Sequence, residues 1–181
     1  MASSAPCPLP SAAPAAVDLA RLHGTNINPV TGLATDYLNH FNEAIMLLEL
    51  LPSAPECKED FLAWHPMSYR EHFAASNFKH RDLAIAAYES ADPLFRRQLD
   101  ETADQMNTIL MAAHEGMKGE LAPDTIRILA EATVHWLRPL LARAGAVIHG
   151  EPISGAAREE TAAQDAIDLL FDHAVDAAVR G

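Results

Sequence analysis

Cysteine is almost missing from this chain. Cys7 and Cys57 are the only two, the first in a Pro/Ala/Ser stretch and the second in a short connector, so no disulfide framework is expected. Glycine is scarce and scattered. Gly24 and Gly32 stand alone without a following lysine, which leaves no loop to cradle a phosphate, and no Gly-x-Ser-x-Gly turn offers a nucleophile. Basic residues are also few: 13 Lys and Arg face 25 Asp and Glu for a formal charge of -12. They form no stripe, so the surface field repels phosphates and nucleic-acid binding is not expected. No apolar run approaches the roughly 20 residues that span a bilayer, so no membrane partner is expected either. The first seventeen residues lack the basic start and continuous apolar stretch of a secretory signal. They read as a disordered tail (1–17) before a helical-bundle domain (18–181), and an acidic protein of this kind is expected in the cytoplasm.

Alanine and leucine are abundant, and half of the 181 residues are hydrophobic. The length suits one domain with a core of its own, and the composition is that of an all-α protein. Helical spacing of Leu33, Tyr37, Leu38, Phe41, Ala44, Ile45 and Leu48 predicts a helix from Thr31 or Thr35 to Leu51, stopped by Pro52. A short helical turn over 56–64 ends at His65-Pro66. Ser68 with Glu71 three positions on forms a capping box, and one helix is predicted from there to about Ser90. That helix is apolar on two sides, with Tyr69, Phe73, Leu83, Ala84 and Ala87 on one and Ala74, Phe78 and Ile85 on the other. It is therefore expected to be central or shared with a second subunit. Asp92-Pro93 opens a helix to about Met117, and Pro123 opens another to Gly150, with Pro139 inside it. A further amphipathic stretch at 157–179 turns Asp165, Asp168, Asp172 and Asp176 away from its apolar face. The architecture expected is a single antiparallel helical bundle of four long helices plus one short helix.

Four of the nine histidines fall between Tyr37 and His80, namely His40, His65, His72 and His80, among Glu43, Tyr69 and Glu71. By helical phase His80 sits in mid-face of the second long helix with Ser76 one turn before it, and a buried imidazole needs a partner for each nitrogen. The bland reading is a core histidine bonded to Ser76, a tyrosine or a backbone carbonyl. The sharper one is a ligand-binding site formed by His40, Glu43, Tyr69, His72, Ser76 and His80, with His80 within about 10 Å of His40, a separation that neighbouring packed helices allow. For His40 itself the bland alternative is a boundary side chain paired with Glu43. His23, His114, His135, His149 and His173 read as surface residues.

A His/carboxylate set of His40, Glu43, His72 and His80 is suited to iron or zinc. The inward Glu and Glu-x-x-His pattern of di-iron bundles is missing, however, and His40-Phe41-Asn42-Glu43 is a single element in reversed order. The function expected is a non-catalytic binding or regulatory protein, dimeric through the second long helix or bound to a protein partner. A metalloprotein with a sensing or oxidation role is the alternative, and an enzyme using His80 with Tyr69 as an acid/base pair is a third reading.

Overall fold

In a computed structural model of the chain, residues 22–151 are described. The expected tail at 1–17 and the amphipathic stretch at 157–179, with His173, lie outside the described residues. Among the described residues six α-helices follow one another: α1 (Leu38–Leu50), α2 (Cys57–Ala63), α3 (Tyr69–Ala75), α4 (Arg81–Ser90), α5 (Pro93–Gly116) and α6 (Pro123–His149). Among the described residues there is no strand, only an isolated bridge between Ile27 and Ala34, so the fold is all-α as composition indicates. No helix among the described residues is long and apolar enough to cross a membrane.

Helices α5 and α6 pack along each other, and α6 also packs against α1. The apolar stripes meet as their spacing predicts: Phe41, Ala44 and Leu48 of α1, Leu99, Met106, Leu110 and Ala113 of α5, and Leu129, Leu137, Ala144 and Val147 of α6 are all buried. Local signals place the boundaries. Asp92 caps α5 by accepting the Leu94 amide at 2.7 Å with Pro93 as first helical residue, and Gly150 closes α6 in the left-handed conformation, φ +82°.

The first helix departs from expectation at its start. Thr35 opens a 3-10 turn (Thr35–Tyr37) without a side-chain cap. The Thr31 hydroxyl instead donates to the Ile148 carbonyl at 2.6 Å, tying the loop before α1 to the end of α6. Gly32 in that loop has φ +72°, and a Cβ there would stand 2.9 Å from the Ala87 carbonyl oxygen, so only glycine fits.

The long helix expected over 68–90 is two helices, α3 and α4, and the assignment of four long helices plus one short one gives way accordingly. Ser68 and Glu71 do form the capping box. The helix then stops because the Ser76 hydroxyl donates to the Phe73 carbonyl (3.0 Å) and accepts the Phe78 amide (3.3 Å). This local pairing competes with the helical ladder, as serine hydroxyls often do. The chain turns through Asn77, and the Phe78 ring folds back onto Phe73, 5.5 Å between centroids. Helical phase is lost at the break, so the second apolar side is not a surface: Phe78 and Ile85 pack against the core, and only Ala74 is exposed.

Candidate functional site

Helix α1 brings in His40, the third of its residues. Helix α2 is followed by Trp64, whose extended backbone (ψ 142°) ends the helix and leaves its indole against α1. The two rings stack with centroids 4.6 Å apart and planes 23° from parallel, and the indole N–H donates to the carbonyl of His40 itself at 3.1 Å. Helix α3 supplies His72, its ring 6.0 Å from that of His40 and 5.7 Å from that of Tyr37. Phe41 closes the cluster edge-on at 5.4 Å from His40. An imidazole 5 % exposed is thus set among aromatic rings.

His40 also lines a cleft of about 420 Å³ between α1 and α2, whose other walls are Glu43, Leu47, Asp60, Ala63, Trp64, His65 and Met67. That volume is within the range of small-molecule sites. No lysine or arginine lines it.

Burial, reinforced by His72 and His65 nearby, pushes the His40 imidazole down to about 4, although a hydrogen bond with the His65 backbone acts the other way. The ring is neutral at pH 7. Its Nε2 is buried and has no hydrogen-bond partner among the described residues. The His72 imidazole is also lowered, mainly by burial, against the raising effects of an Asp36 backbone hydrogen bond and of the Asp36 and Glu43 charges. Both rings are therefore held as neutral, polarisable surfaces and not as cations.

Of the residues expected to form a site, the structure brings together His40, Glu43 and His72. The bland alternative of a His40–Glu43 ion pair is not what holds His40, which is buried while Glu43 is exposed at the mouth of the cleft. Tyr69 is buried on the far side of Tyr37. Its oxygen accepts the Ala34 amide at 2.9 Å, its ring stacks on Tyr88 at 4.5 Å, and burial holds its phenol well above the usual value. It stays protonated and serves the core. Tyr37 is similar, donating to the Met67 carbonyl at 3.0 Å, and Tyr88 donates to Asp100 at 2.8 Å.

Ser76 and His80 are placed elsewhere than helical phase indicates. Ser76 is consumed by the turn after α3. His80 is the residue before the first turn of α4, where its ring lies 6.0 Å edge-on to Phe78. The groups that act on His40 come from Phe41, Trp64, His65 and His72, not from His80. Among the described residues no three His, Cys, Asp or Glu side chains are arranged to hold a metal ion. His114, read as a surface residue from its place at the edge of its helix, is buried: Nε2 donates to the Phe61 carbonyl at 2.6 Å, fastening α2 to α5. His23, His135 and His149 are exposed as expected.

Sequence reasoning passed over Trp64, Asp60 and Met67. The one signal available for Trp64 was its position just before His65-Pro66, where a helix must end and the preceding side chain is free to turn inward. Comparison with protein-family models, curated proteins and solved structures gives no match.

Proposed function

We propose that this chain is a non-catalytic binding protein that takes a small ligand in the cleft walled by His40 and Trp64. What supports the reading is the His40 ring itself. A buried nitrogen without a partner costs roughly 1–3 kcal/mol, and an apolar ring at position 40 would fill the same space without that cost. The bond with the His65 backbone offsets part of that cost, about 0.5–1.5 kcal/mol, and leaves Nε2 as the group that packing alone does not account for. Retention of the imidazole beside a ligand-sized cleft is accounted for if the ring, held neutral and stacked on Trp64, forms part of a recognition surface. Tyr37 and Tyr69 are committed to backbone groups and stay protonated, and burial lowers the basicity of His40 and His72. Binding is thus the better supported reading.

The test is a fragment screen followed by the Trp64 indole N–H resonance, set beside the same screen on Ala63→Phe. Ala63 is exposed on the cleft wall, and the larger ring should fill the space without disturbing the core. The expected result is saturable shifts at Trp64 that Ala63→Phe abolishes. Hits that cluster elsewhere and ignore Ala63→Phe would defeat the proposal.

A further inference from the structure

The lining of the cleft is chemically one-sided. Glu43 enters from α1 and Asp60 from α2, and among the described residues neither is paired with a lysine or arginine. Elsewhere on the surface Glu49 pairs with Arg138, Glu89 with Arg70, Glu115 with Lys118 and Glu131 with Arg127, while the exposed Glu56, Glu59, Glu101, Asp104 and Glu120 have no such partner among the described residues; what sets Glu43 and Asp60 apart is that both line one cleft. Two carboxylates left uncompensated across a concave surface concentrate negative potential there, and the net charge of -12 adds to it. An anionic ligand finds no counter-charge. The rest of the wall is Leu47, Ala63, Trp64 and Met67, an apolar and polarisable surface that a bare hydrated metal ion would leave unused.

We propose that the cleft takes a small organic cation, a primary ammonium on an apolar body, with Glu43 and Asp60 holding the charge and Trp64, Leu47 and Met67 the body. The proposal rests on the reading of this cleft as a binding site and specifies what enters it. An ammonium supplies three donors to two carboxylates. His40 stays neutral at pH 7 and so does not repel the incoming cation.

Trp136 is the second tryptophan, so Trp136→Phe leaves Trp64 as the sole indole reporter. In that background 2-phenylethylamine, 2-phenylethanol and 3-phenylpropanoate are titrated while Trp64 emission is followed. The expected outcome is saturable binding of the amine, at least tenfold tighter than the alcohol or the acid and weakened by added salt. Glu43→Gln with Asp60→Asn should reduce the amine to the level of the alcohol, with the circular dichroism and melting temperature of the parent retained. Alcohol or acid binding as tightly as the amine overturns the cation assignment but leaves the cleft a binding site, as does full amine affinity in the double variant. No response to any of the three overturns both.

Discussion

Trp64 and His40 are joined twice, by ring stacking at 4.6 Å and by the indole N–H donated to the His40 carbonyl at 3.1 Å. The backbone bond fixes where the indole sits, and the stack then fixes the imidazole, so α1 and the end of α2 are locked in register at the cleft. Removing either ring loosens both.

His40→Phe keeps the aromatic volume and removes the unpartnered nitrogen. It also gives up the bond with the His65 backbone, so at pH 7 stability should change by no more than about 1 kcal/mol in either direction, measured by chemical denaturation. Loss of several kcal/mol would show that the imidazole makes a contact essential to folding.

The same variant tests the pH dependence. In the folded protein the imidazole sits near 4, below the 6.5 of an unfolded histidine, so the unfolded chain takes up the proton first. The full stability is present above pH 6.5 and declines as pH falls from 6.5 to about 4. A shift of this size corresponds to roughly 3 kcal/mol, and His72, shifted in the same direction, adds to the decline. Denaturation between pH 7 and 4 should give a shallower slope for His40→Phe than for the parent. Identical slopes would place the His40 imidazole in solvent.

Gly32→Ala combines a left-handed backbone with a Cβ 2.9 Å from the Ala87 carbonyl oxygen. Destabilisation of roughly 2–3 kcal/mol is expected, against about 1 kcal/mol for Gly24→Ala, which shares the strain of a positive φ but has nothing within 4 Å of a Cβ. Equal effects at the two sites would remove the close approach as the cause.

His114→Leu leaves the buried Phe61 carbonyl without its donor and should cost about 1–3 kcal/mol. His135→Leu, on the exposed side of α6, should change stability by less than about 0.5 kcal/mol. Melting curves of the two decide whether His114 is the clamp between α2 and α5.

Phe78→Glu should lower the melting temperature, because the ring packs on Phe73 and against the core and a carboxylate there loses its solvation. A variant as stable as the parent but altered in sedimentation would return Phe78 to the role of a surface contact between subunits.

The helical class, the stripes of α5 and α6, the capping box at Ser68 and the stops at Pro52 and Gly150 were all legible in the chain itself. Each is set by residues within one or two turns of one another. The helix expected over 68–90 failed because Ser76 spends its hydroxyl on neighbouring backbone groups, a choice that apolar periodicity does not register. That break removed the phase on which His80 and the second apolar side depended. His114 looked peripheral for the opposite reason: its partner, the Phe61 carbonyl, lies 53 positions away. Of the histidines and acids between Tyr37 and His80, the rings of His40 and His72 lie 6.0 Å apart and Glu43 lines the same cleft as His40. That Trp64 stacks on His40, and that Asp60 and Glu43 line one cleft, was decided by the packing of α2 against α1. Local spacing fixes which face a side chain occupies, and only the packing of separate helices fixes what that face meets.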